Sequence, residues 1–140
     1  MTIRINLTDD IVACKMLRRT VFIDEQGVSE ADELDDLDDQ CLHLLARDGP
    51  LPVGTARVHL AGNLAKIARV CVITSHRGTG LGAALIRAAL DIAKAQPGVD
   101  QAKLGAQVHA LGFYEALGFK PIGPVYDDAG IDHQDMVQDL

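Results

Sequence analysis

The segment RVCVITSHRGTGLGAALIRAAL, residues 69 to 90, restricts the possible folds more than any other part of the chain. Apolar residues with strand character run into a turn holding Gly78, Gly80 and Gly82, and the turn opens an amphipathic helix. In that helix Leu81, Ala84, Leu85, Ala88 and Ile92 share a stripe while Arg87, Asp91 and Lys94 face away, until Gln96-Pro97-Gly98 stops the pattern. The first amides of a helix have no partner inside it, and the aligned peptide dipoles leave partial positive charge there. Such an end attracts anions. Glycines let phosphate oxygens reach those amides without meeting a Cβ, and Arg77 adds a mobile positive charge. The turn Arg77-Gly78-Thr79-Gly80-Leu81-Gly82 therefore suits a pyrophosphate. Packing alone rarely requires three glycines within five residues, because each loses more chain entropy than another residue would.

Two other phosphate loops compete with this reading. The pattern GxxxxGK[ST] is absent, which removes the common nucleotide triphosphate loop. Gly78, Gly80 and Ala83 do satisfy GxGxxG/A, the dinucleotide fingerprint. That motif belongs after the first strand of a parallel array, however, and leads to a strand ending in an acid. Here several hairpin strands precede the turn, and Asp100 stands before the next strand instead of after it.

Residues 3–7 alternate as a half-buried strand, and Thr8 followed by Asp9 and Asp10 reads as a helix start with a hydroxyl cap. Ile11, Cys14, Leu17 and Val21 fall on one face of that helix, and Gly27 ends the region. Strands are expected over 41–47, 53–60 and 65–73, joined by tight turns as an antiparallel meander. After the central helix come a strand over 102–106, a helix over 110–117 capped by Gly118, and strands over 119–125 and about 133–140. No repeat or linker divides the 140 residues, so one domain spanning 1–140 is expected, with a core of Leu, Ile, Val and Ala because Trp is absent.

Seven of the twenty acids lie in residues 30–39 (EADELDDLDD), and the other thirteen balance the thirteen Lys and Arg. The net charge of −7 is thus local, and it disfavours nucleic acid as a partner. The acidic stretch reads as a solvated loop able to attract a cationic substrate. No run approaches a membrane span and MTIRINLTDD lacks a signal-peptide core, so the cytoplasm is the expected compartment, with no membrane partner. Cys14, Cys41 and Cys71 have no CxxC spacing and sit among apolar neighbours, as reduced core residues do. His59, His76 and His109 assemble no metal-ligand spacing, so no catalytic metal is expected.

The glycine turn, with the element order around it, resembles the GNAT superfamily of acetyl-CoA-dependent N-acyltransferases and its pattern [QR]xxGx[GA]. The likeness continues at LGAQVHALGFYEALGF, which is similar to that superfamily's strand and helix ending in FYxxxGF. At LRRTVFIDEQGVSEADELD it reaches the bacterial branch of small GNAT proteins carrying LRxxVFxxEQ. Three separated motifs in order cover essentially the whole chain. The resemblance implies an α/β (α+β) fold: a mixed, mostly antiparallel sheet of about six or seven strands, splayed at its centre and flanked by about four helices.

It also implies roles. Backbone groups of Cys71 and Val72 would face the splay, pair with the pantetheine arm and polarise the thioester carbonyl, while Gln107 and Phe113 would stand beside the cofactor. Tyr114 matches a tyrosine near the cofactor sulfur, where a phenol can act as general acid to the departing thiolate. The ending AGIDHQDM resembles the branch's GIxH segment, making His133 the candidate base. Arg18, His43 and Arg69 become pocket residues by the same positional likeness, with a structural alternative in which Arg18 pairs with acids of the following loop and Arg69 braces its strand; arginines in the pocket would suit an anionic acceptor, the acidic loop a cationic one. The expected activity is acetyl transfer from acetyl-CoA to a primary amine of a small molecule or peptide by direct attack. A noncatalytic acyl-CoA-binding or sensing module is the alternative. Similar proteins commonly dimerise through their outer strands, so a homodimer is compatible with the resemblance.

Overall fold

The computed structural model describes residues 2–140. One seven-stranded sheet has the order β1-β2-β3-β4-β5-β7-β6. β1 (Ile3–Thr8), β2 (Cys41–Asp48), β3 (Leu51–Ala61) and β4 (Leu64–Val72) form the expected antiparallel meander. β5 (Gln101–Gln107) runs parallel to β4, reached through the crossover helix α3 (Leu81–Lys94). β7 (Ile131–Asp139) then inserts antiparallel between β5 and the edge strand β6 (Lys120–Asp128). The mixed, mostly antiparallel sheet agrees with the expected fold, each strand ending within a few residues of its sequence-based bounds.

The strand period of two sorts the core between both faces. Along β2, Leu44 and Ala46 join the larger cluster under α3, whereas Leu45 joins a smaller one with Cys14, Leu17, Val21 and Cys71. α3 seals the first face with Leu81, Leu85, Ile86, Ala89, Leu90 and Ala93, each side chain of Leu or Ile size contributing about 1.5–3 kcal/mol by leaving water. α4 (Leu111–Ala116) packs on the same side through Leu111 and Tyr114. The opposite face carries α1 (Ile11–Arg18), which runs on into a wide-turned helix over Arg19–Glu25, and α2 (Glu30–Glu33). The cap of α1 is Asp10, two residues later than the expected Thr8. Asp10 accepts from the Ala13 amide at 3.1 Å, while the Thr8 hydroxyl takes the Asp10 amide. Among the described residues no helix is long and apolar enough to cross a membrane.

The sheet is not continuous. β4 and β5 pair only over Leu64–Lys66 and Gln101–Lys103, and beyond that the two strands separate. The separation coincides with a bulge in β4, where the register to β3 slips between Ala68 and Cys71 and Arg69 takes φ 53°. A left-handed conformation disfavours a side chain by about 1–2 kcal/mol. Arg69 is held there by its bonds to the acidic segment, described next.

Candidate active site

The acidic segment folds inward instead of remaining solvated. Arg18, only 1% exposed, donates Nε to Glu33 at 2.6 Å and its two terminal nitrogens to Asp38 at 2.8 and 3.1 Å. Arg57 of β3 grips Asp35 at 2.5 and 2.8 Å and Asp38 at 3.1 Å. Arg69 Nη2 donates to the Glu33 carbonyl at 3.1 Å and to Asp35 at 3.2 Å. Three guanidiniums thus meet three carboxylates under the α1–α2 layer. Burial alone would make the Arg18 guanidinium easier to deprotonate, but its bonds to Asp38 and Glu33 outweigh that and raise its pKa. The Arg57 hydrogen bonds hold the Asp35 carboxyl down at about 2.

This arrangement moves two expected pocket residues. Arg18 faces the ion cluster, and His43, 4% exposed, donates Nε2–H to the Asp38 carbonyl at 2.9 Å. Neither lines the cavity below. Arg57 was the residue that sequence reading passed over. A charged side chain in the middle of the apolar strand VGTARVHL was the signal, since a buried charge requires a partner.

The glycine turn has the geometry an anion needs. Gly78 and Gly80 have φ 74° and 84°, and a Cβ at either would meet nothing within 4 Å. The surface over the turn is therefore open. Gly80 caps α3, no side chain covers the cap, and the first bond within the helix is Ala84 N–H to the Gly80 carbonyl at 3.0 Å. The amides of Leu81, Gly82 and Ala83 are left without a helical partner. Thr79 Oγ1 donates to the His76 carbonyl at 2.7 Å and tightens the turn. Arg77 is less mobile than expected, since its Nε donates to the Val72 carbonyl at 2.9 Å and a terminal nitrogen reaches Glu25. Phe113, 43% exposed, lies across the same helix start, its ring 3.7 Å from where a Gly82 Cβ would be.

Of the two strand residues expected to face the splay, only one does. Ile73 N–H bonds to the Val53 carbonyl on β3, so alternation turns the Cys71 amide and carbonyl toward β3 as well. The Val72 groups point the other way, as the Arg77 bond to the Val72 carbonyl requires. The Cys71 side chain lies in the core, as expected, 5% exposed, and burial pushes its thiol up to about 12. Val70, which the sequence reading omitted, lines the opening.

Where β4 and β5 part, a cavity of about 380 Å³ opens beneath the α1–α2 layer. Arg69, Val70, Gln107, Tyr114, Tyr126 and His133 are among its walls. Tyr114 enters from the α3–α4 side, with its ring edge-on to Phe113 at 5.0 Å and to Phe119 at 6.1 Å. Burial raises its pKa, so the phenol stays protonated. His133 Nδ1 lies 2.7 Å from the Ile131 carbonyl. A carbonyl only accepts, so Nδ1 carries a proton, and in the neutral ring Nε2 keeps its lone pair. Gln107 bridges Gln26 at 3.1 Å and His109 at 2.6 Å, across from the end of the wide-turned helix.

A model of the acetyltransferase (GNAT) domain matches residues 18–140. The chain belongs to the GNAT acetyltransferase family. It is 37% identical to the Bacillus subtilis protein YyaT over 98% of its own length and 94% of that protein. The crystal structure of an acyl-CoA N-acyltransferase from Pseudomonas aeruginosa superposes with a TM-score of 0.88 at 26% identity, covering 98% and 99% of the two chains. A Bacillus subtilis acetyltransferase solved in complex with CoA shares the fold, with a TM-score of 0.75 at 20% identity and 99% coverage of both chains. Membership in this family makes acyl transfer from an acyl-CoA the general chemistry. The free amides at Leu81–Ala83, the open glycines and the parted strands fit such a donor.

Proposed function

We propose that this GNAT protein transfers an acetyl group from acetyl-CoA to a primary amine by direct attack in a ternary complex. The observation that carries the proposal is the joint presence of Tyr114 and His133 in one cavity at the β4–β5 splay, with Cys71 turned away from it. When bound, acetyl-CoA supplies the acyl group as a thioester. The amides of the glycine turn would hold its diphosphate, and the Val72 backbone would meet its pantetheine arm. A main-chain amide facing the gap also favours negative charge growing on a carbonyl oxygen.

His133 Nε2, bare in the tautomer fixed by Ile131, takes the proton that an attacking ammonium must lose. The Tyr114 phenol, kept neutral by burial, gives a proton to the leaving sulfur. No acyl-enzyme is involved, because no cysteine is among the residues lining the cavity and the Cys71 thiol, on the strand that borders it, has its pKa pushed up to about 12 and lies in the core. The rim favours a cationic acceptor. Asp32 and Asp128 face the opening, and among the described residues neither carboxylate is in an ion pair, whereas Arg69 is committed to the acidic segment.

Release of free CoA, measured against a panel of amines, amino acids and peptides, tests this reading. Turnover should require an amine, and Tyr114→Phe and His133→Ala should each lower kcat by about 10²-fold. If acetyl-CoA raises the melting temperature but no acceptor releases thiol, the protein is a binding module and the catalytic reading fails.

A further inference from the structure

We propose that Tyr126 is a positioning residue that holds the His133 imidazole in its working orientation, and that Gly105 exists to admit it. The proposal rests on His133 being the base. Tyr126 sits on β6 directly opposite His133 on β7, and the two rings stack with centroids 6.0 Å apart and planes inclined by 23°. The single bond from Nδ1 to the Ile131 carbonyl fixes one edge of the imidazole but leaves the ring free to pivot about that edge. The tyrosine face removes this freedom.

Tyr126 is itself anchored at its far end. Its hydroxyl donates to Asp135 Oδ1 at 2.6 Å, and the second carboxylate oxygen of Asp135 faces Lys103 Nζ at 3.4 Å. From the edge strand the side chain therefore crosses β7 and ends over β5. There it meets Gly105, whose Cβ, if it had one, would stand 2.5 Å from the phenol oxygen. Gly105 is not among the glycines with positive φ, so its backbone would accept alanine. Only the approach of Tyr126 excludes a side chain. Asp135, Gly105 and Lys103 lie on the same face of the sheet as His133, because β5 and β7 pair Gln107 with His133 and Gly105 with Asp135.

Tyr126 touches the base but is not assigned to the reacting atoms, so its removal should misplace a proton acceptor without weakening donor binding. Steady-state kinetics with the best amine from the panel test this. Tyr126→Ala should lower kcat about tenfold and leave KM for acetyl-CoA unchanged. Tyr126→Phe, which keeps the stacked face and loses the anchor, should fall between it and the natural protein. Gly105→Ala should reproduce the loss, and should add nothing once Tyr126 is already alanine. In a His133→Ala background Tyr126→Ala should have no further effect, since the two act as one unit. Melting temperatures of all variants would check that each is folded.

Wild-type kcat in Tyr126→Ala, or an equal loss with and without His133, overturns the positioning role while leaving the base intact. Wild-type kcat in His133→Ala overturns both.

Discussion

The glycine turn and the acidic segment are both exceptional stretches of sequence, and the structure uses them in opposite ways. The turn works through main-chain atoms: Gly78 and Gly80 adopt left-handed conformations, and amides at the start of α3 stay free. Apart from the Arg77 bond to Glu25, its hydrogen bonds lie within the local chain. The acidic segment works through side chains, and its meaning depends on arginines contributed by α1, β3 and β4, residues that are distant in sequence. A local device keeps its character wherever the fold places it. A tertiary device has no character until its partners arrive.

If that contrast holds, the largest loss of stability should come from the tertiary device. Arg18→Ala leaves Glu33 and Asp38 buried without their main counter-charge and should destabilise the fold by about 3–5 kcal/mol in urea denaturation. A loss below about 1 kcal/mol would mean that the cluster is solvated after all. Gly80→Ala attacks the local device instead. It places a Cβ at φ 84°, and the lost 1–2 kcal/mol should divide between a modest drop in stability and a weakening of CoA binding by about tenfold in calorimetry. Unchanged binding would separate the turn from the ligand.

Acid sharpens the comparison further. The folded state holds Asp35 at about 2 through its Arg57 hydrogen bonds, and Asp38 is lowered because its bonds to Arg18 outweigh the opposing effect of burial. A carboxyl whose folded pKa is depressed stabilises the protein above its unfolded value of about 3.9 and loses that contribution as pH falls through the folded one. Stability should thus decline between pH ~4 and about 2, and Asp35→Asn should flatten part of that decline in an acid titration followed by circular dichroism. The smallest effect belongs to the solvent side of the same segment. Arg19 and Glu30 form an ion pair with side chains 53% and 60% exposed, so Arg19→Ala should change stability by less than about 1 kcal/mol.

The contrast also explains which parts of the molecule were readable in advance. The element order, the helix stripe of α3 and the open turn depend on period, propensity and glycine, all of which are local. Cys71 was misassigned for a tertiary reason: the bulge at Arg69 and the pairing to β3 decide which main-chain groups face the gap, and neither is written in the strand's residue types. Arg18 takes the second of its two readings, pairing with acids of the following loop, whereas His43 was misplaced because that loop was expected to stay in water and folding it inward supplied the partner. Tyr126 gave no signal, since its approach to Gly105 requires β7 to insert between two strands that precede it in sequence.

The short ladder between β4 and β5 has a bearing on how such a protein diversifies. Three residue pairs are the whole parallel seam between the four-strand meander and the three-strand unit that carries His133 and Tyr126. Changes in β6 and β7 alter the wall that carries His133 and Tyr126, although the buried core under α3 spans both units, with Leu44 and Val58 on one side and Leu104 and Met136 on the other. The outer hairpin can drift while the glycine turn and the free amides of α3 stay as they are, and the fold need not be reinvented each time.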